Sequence, residues 1–144
     1  MSGVQVIRSL LAGNAAVTNV VPAARIMAGD LPLGTTMPAI IITQISGVPR
    51  ITLSMKDPRM QHQDRVQVSV LVKGPQGSPA GLGYPGVRSL LKLVLAACPN
   101  TKGTVGSIDC DSILPDIEGP DLANDADALY SGSRDFLVRW NSPT

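Results

Sequence analysis

The sequence predicts an α+β fold: a mainly antiparallel sheet with two α-helices packed on one face and a hairpin or arm projecting from it. Three observations predict this. Valines at 66, 68, 70 and 72 alternate with Arg65, Gln67, Ser69 and Leu71, a period-2 pattern of β-branched residues that marks a strand with one firmly apolar face. Two separate stretches, one starting at Ser2 and one at Val87, space their apolar residues at helical intervals. The coarse order is helix, strands, helix, strands, with no internal repeat, and that order places helices on one side of a sheet.

Taken in order, Ser2 can cap a first helix carrying Val4, Ile7, Leu10 and Leu11, and Gly13-Asn14 is a left-handed pair suited to end it. Ala15–Val21 adds a further turn before Pro22. Arg25–Ala28 reads as a short strand and Asp30–Gly34 as a loop. Ala39–Ile45 is a continuous apolar run, read as a strand buried on both faces, with Pro38 tolerated at its entry. Ser46–Pro49 interrupts it, Arg50–Met55 alternates weakly, and Lys56–Gln63 is polar with a turn at Asp57-Pro58.

A structureless connection of that length is uncommon inside a compact domain. Residues 47–64 are therefore expected to form a projecting hairpin or arm, with Arg50, Ile51, Leu53, Met55 and Met60 as its candidate contact residues toward a partner. Arg65–Val72 is the central strand. Loops are expected at 73–86 and 118–132. Between them lie a second helix, Val87–Ala97, with a stripe of Val87, Leu90, Leu91, Val94 and Leu95, and an interrupted strand, Val105–Ile117. Ser133–Asn141 is the last strand, with Phe136, Val138 and Trp140 on one face.

The totals exclude several functions. The 144 residues suit one domain, 1–144. Twelve Lys+Arg against eleven Asp+Glu give a net charge of +1, without the basic footprint of a tight nucleic-acid binder. Aromatics are 3% of the chain, too few for base-stacking platforms. Two cysteines, Cys98 and Cys110, make no disulfide scaffold and no metal spacing. There is no signal-peptide pattern and no apolar run near the roughly 18 residues a spanning helix needs. A cytoplasmic origin is expected.

Nothing in the residues alone specifies an activity. Gly81-Leu82-Gly83-Tyr84-Pro85-Gly86 fits the glycine pattern of dinucleotide sites, but eight residues, 73–80, separate it from the strand and no βαβ frame surrounds it. A connection into the second helix outweighs a cofactor loop. His62 lies in a polar run and reads as a solvated loop histidine. Asp109-Cys110-Asp111 places two carboxylates on one strand face and the thiol on the other. Asp121, Asp125 and Asp127 lack the glycine and glutamate of a calcium loop. No catalytic, cofactor or metal residues are assigned, and the chain is not read as an enzyme.

One further pattern runs through nearly the whole chain. It comprises an N-terminal helix with Leu10-Leu11-Ala12 and Ala15-Ala16-Val17, then Arg25-Ile26, Leu31-Pro32, Pro38-Ala39-Ile40-Ile41 and Ile45-Ser46-Gly47. Val66-Gln67-Val68-Ser69-Val70 and a helix follow, and the last segment is Tyr130-Ser131-Gly132-Ser133-Arg134-Asp135-Phe136-Leu137-Val138-Arg139-Trp140. This order resembles the tail-completion, or tail terminator, proteins of long-tailed bacteriophages and related prophages. The glycine-rich loop 73–86 and the arm 50–63 depart from the shorter versions expected there.

The resemblance implies an α+β virion subunit, assembled in the bacterial cytoplasm, that forms a ring, usually a hexamer. The ring would sit on the head-proximal end of the tail tube, end tube polymerisation and meet the head connector. DNA would pass through its lumen without sequence-specific binding. It implies no cofactor and no membrane. A head-side neck adaptor or stopper is the alternative reading, and a dinucleotide-binding enzyme a more distant one.

Overall fold

The computed structural model describes residues 2–29, 38–50, 60–73, 84–120, 122–124 and 129–142. Helix α1 spans Ser2–Ala12 and buries Val4, Ile7 and Leu11 while Gln5 and Arg8 face solvent. It is followed at once by α2, Ala15–Thr18. Asn14 is not the left-handed end of α1 but the cap of α2: its Oδ1 accepts from the backbone N–H of Ala16 at 3.0 Å and of Val17 at 3.2 Å. A 3-10 turn at Ala23–Arg25 follows Pro22 and leads into strand β1, Ile26–Ala28.

The remaining strands are β2 (Ala39–Arg50), β3 (Met60–Lys73), β4 (Gly103–Val105), β5 (Ile108–Glu118), β6 (Leu122–Asn124) and β7 (Leu129–Ser142), and helix α3 covers Tyr84–Ala97. Their order in the sheet is β1-β2-β3-β7-β5-β4. β3 pairs along its whole length with β7, so β6 must sit on the other side of β7, beside its first residues and in line with β5. β3 is thus an interior strand with β2 on one edge and β7 on the other. All pairings are antiparallel except β1–β2, which is parallel; the sheet is therefore mixed, and it curls into a half-barrel. A three-residue apolar strand carries no sign of its direction, so the sequence could not mark this parallel pair.

The valines of β3 carry the core. Val66, Val68, Val70 and Val72 are buried with Ile40 and Ile42 of β2, Phe136 and Val138 of β7 and Ile113 of β5, under α1 and α3. Helix α3 contributes Val87, Leu90, Leu91 and Val94 as expected, whereas Leu95 is exposed.

Several expectations are corrected. β2 is not buried on both faces, since Ile41 is only half-buried and Ile45 is 51% exposed. It also does not stop at Ser46. A bulge between Gln44 and Ser46 absorbs the irregularity, and the strand runs on through Gly47, Val48 and Pro49 to Arg50. β3 begins at Met60 rather than Arg65. The described ends of the expected arm are therefore sheet: Gly47 pairs with Asp64, Val48 with Gln63 and Arg50 with Gln61, while Met60 pairs with Ser142 of β7. The expected strand 105–117 is a hairpin, β4–β5, turned by Gly106 (φ 55°) and Ser107 (φ 63°), the positive-φ pair that two-residue turns require. The loop expected at 118–132 contains β6 and the start of β7, and Tyr84–Gly86 of the expected loop 73–86 is the first turn of α3.

Val68→Asp or Val70→Asp places an unpaired charge among fully buried side chains and should cost about 3 kcal/mol or more, enough to unfold a marginal domain. Ser69→Asp, on the opposite face, should cost far less. Equal tolerance of the two classes in denaturant melts would show that the faces are assigned wrongly.

Candidate assembly surface

At one end of the sheet the valine face gives way to polar residues on the same side. His62 and Asp64 continue the even-numbered register of β3, opposite Trp140 and Val138 of β7. Asp64 is only 4% exposed. Its Oδ2 accepts from the backbone N–H of Gly3 at 3.1 Å and from Trp140 Nε1 at 2.8 Å. Helix α1 has no acidic residue in its own first turn, so a carboxylate from β3 supplies the negative charge that its N-terminus favours. The approach requires two glycines. A Cβ at Gly3 would lie 2.8 Å from Asp64 Cβ, and one at Gly47 would lie 2.8 Å from Asp64 Oδ1. His62 stacks on Trp140 with ring centroids 4.2 Å apart and planes 12° from parallel. It is therefore a strand residue packed on an indole, not a solvated loop histidine. Gln44, Gly47, Pro49, His62, Asp64 and Trp140 line a shallow cavity of about 350 Å³. Asp64 is held by two donors of the fold, and the cluster reads as an anchor for α1.

The opposite face of the sheet carries cross-strand polar pairs. Arg65 Nη1 lies 2.5 Å from Asp116 Oδ2 and 3.3 Å from Asp135 Oδ2, tying β3 to β5 and β7. Gln67 donates to Ser133 Oγ at 3.3 Å, and Arg139 to Gln63 Oε1 at 3.3 Å. Asp109 and Asp111 both lie here, accepting from Asn141 at 3.2 Å and Gln61 at 2.7 Å, while Cys110 turns into the core. These carboxylates are engaged with neighbouring strands, and no group of three His, Cys, Asp or Glu among the described residues could hold a metal ion. At the far rim, Glu118 pairs with Arg88 of α3 and, at 3.6 Å, with Arg134 of β7.

Exposed large apolar side chains cluster at the sheet's margins. Ile45 and Val48 lie on β2, Leu114 and Ile117 on β5, and Leu122 on β6. Of the contact residues expected from the sequence, Arg50 closes β2 and Met60 opens β3; Ile51, Leu53 and Met55 lie outside the described residues. Asp121, Asp125 and Asp127 lie outside them too, as do Gly81 and Gly83, while Gly86 is within α3. No helix among the described residues is long and apolar enough to cross a membrane. Sequence reasoning missed Asp64, Ile45, Val48, Leu114 and Ile117. Extending the period-2 register of β3 backwards by one step would have placed Asp64 on the valine face.

Both cysteines are buried free thiols. Burial pushes Cys98 from 9.0 up to about 12. Cys110 is also raised, chiefly by burial, against a lowering backbone hydrogen bond from Ser112 and with added repulsion from Asp111 and Asp109.

Neither a family model nor a curated protein matches the chain. Among solved structures it is similar to a chain of the virion of a native gene transfer agent particle. The TM-score is 0.65 at 10% identity, over 96% of this chain and 94% of that one. At that identity the likeness shows a shared fold, end to end.

Two outcomes are expected. Asp64→Ala should lower stability by about 1–3 kcal/mol, because the Gly3 N–H and the Trp140 indole lose their acceptor, and should shift Trp140 fluorescence; Asp64→Asn, which keeps an acceptor oxygen, should cost less. An unchanged melt for Asp64→Ala would dismiss the anchor role. For Cys98, the unfolded thiol ionises near 9.0 while the folded one holds its proton to about 12. Its contribution is complete below the lower value and lost as pH rises between the two, at about 1.4 kcal/mol per pH unit. Denaturant melts at increasing alkaline pH should show this slope, and Cys98→Ala should flatten it.

Proposed function

We propose that this chain is a non-enzymatic structural subunit of a phage-like virion. More specifically, we read it as the tail terminator: a ring, usually a hexamer, that caps the head-proximal end of the tail tube, ends its polymerisation and joins it to the head connector. The observation that carries the proposal is the end-to-end fold likeness to a chain of a gene transfer agent virion. The order of short sequence signatures quoted above narrows it from virion protein to terminator.

Two features of the molecule support it. Among the described residues, five exposed apolar side chains, Ile45, Val48, Leu114, Ile117 and Leu122, sit at the sheet's margins, where a neighbouring subunit can cover them. Among the same residues, the bonds named above across the helix-free face engage more carboxylates (Asp109, Asp111, Asp116 and Asp135) than guanidiniums (Arg65 and Arg139). A face of that sign repels phosphate and suits a passage through which DNA moves without being held. The segment around Arg50, Ile51, Leu53, Met55 and Met60 would meet the neighbouring subunit or the tube. The partners are then further copies of the chain, the tube protein and the connector, at the neck of the particle.

The test is the particle without this protein. Overlong tails, seen by electron microscopy, are the outcome expected of a terminator; tails of normal length with filled heads that leak DNA would point instead to a head-side stopper. In solution, native mass measurements alone and with tube protein should show a closed oligomer, and a chain monomeric under both conditions would refute the ring.

A further inference from the structure

We infer that copies of the chain join head to tail by adding the open edge of β2 in one subunit to the open edge of β5 in the next; this rests on the ring reading above.

Among the described residues, β1 covers β2 only at Ile40–Ile42 and β4 covers β5 only at Ile108–Cys110. Beyond these short covers each strand has an edge of equal length, residues 43–50 and 111–118, on opposite sides of the sheet. Part of each edge presents backbone N–H and C=O groups that can accept another strand; on β5 the Ile113 N–H is already taken by Asn100 Oδ1 at 3.1 Å, so pairing there falls on residues 114–118.

Among the described residues, four of the seven large apolar side chains that are exposed belong to these two edges: Ile45 at 51%, Val48 at 56%, Leu114 at 42% and Ile117 at 58%. Scattered exposed apolar residues would need no explanation; here they come as one pair per edge, each pair three residues apart. Joining the edges brings the two pairs side by side and removes them from water.

Charge selects a second copy in a head-to-tail sense. Residues 43–50 hold Arg50 and no carboxylate, whereas residues 111–118 hold Asp111, Asp116 and Glu118. Asp116 is paired with Arg65 and Glu118 with Arg88 and Arg134 within the subunit, so two β5 edges together would oppose chiefly Asp111, whose charge no guanidinium among the described residues offsets, to its own copy. A β2 edge meeting a β5 edge opposes Asp111 to a strand without negative charge. Because the two edges are different patches, the contact repeats from copy to copy until a ring closes. Bulges at Gln44/Ser46 and Cys110/Ser112, with Pro49 and Pro115, interrupt both edges. These interruptions blunt both edges against arbitrary strands and shorten the stretch over which either can pair.

The test uses four single variants of the full chain: Ile45→Cys, Val48→Cys, Leu114→Cys and Ile117→Cys. The native thiols are buried and serve as the unreactive background. Mixtures of one β2 variant with one β5 variant, oxidised mildly, should yield a disulfide-linked dimer in at least one of the four combinations, and a variant alone should yield none. Val48→Asp, which adds a carboxylate facing those of β5, should abolish the oligomer while leaving the far-UV circular dichroism of the subunit unchanged. An oligomer that gives no mixed dimer in any combination, or that links identical variants, overturns the edge pairing and leaves the ring standing. A chain that is monomeric alone and with tube protein overturns both.

Discussion

β3 has to satisfy three demands at once: a strand on each edge and a cover for one face. Its alternation divides the work. Val66, Val68, Val70 and Val72 create an apolar stripe that only α1 and α3 close, while Arg65, Gln67 and their neighbours bond across the other side. A one-residue slip of register would send every valine to the polar face, so the cross-strand pairs of Arg65 and Gln67 also hold the core in place. Everything else in the sheet is arranged outward from that strand, and its outermost edges are the places where the molecule is least complete by itself.

Asp64 is the exception on the valine face, and its exception is structural. A buried carboxylate without partners would be costly. Here it accepts from α1 and from Trp140, so the start of the first helix, the central strand and the last strand are locked at one point. Gly3 and Gly47 are small because that point leaves no room for a Cβ.

What could be read in the sequence follows from how repetitive each signal is. The valines of β3 and the stripe of α3 recur over several turns of their periods and are legible. β6 is three residues long and has no period to read. The β4–β5 turn uses Gly106-Ser107, a weaker signal than Asn-Gly, so two strands merged into one expectation. Met60–Asp64 is polar because it supplies pairs and an anchor instead of apolar burial, and polarity alone resembles a loop. His62 shows the same difficulty: its partner, Trp140, lies on another strand far along the chain. The proposed contact surface was the least legible feature, since whether the strand edges that carry Ile45, Val48, Leu114 and Ile117 are covered depends on where β1 and β4 stop, which is set by tertiary pairing.

The pairing of β3 with β7 has a consequence for synthesis. The second neighbour of the central strand is translated only after α3 and the β4–β5 hairpin. Until then the side of β3 that β7 will occupy is vacant, and contacts of such long sequence separation form slowly. The side of β3 that β7 closes in the finished fold is thus most hazardous before that pairing forms, and a host whose chaperones are depleted should accumulate this subunit as aggregate even though the finished fold is sound.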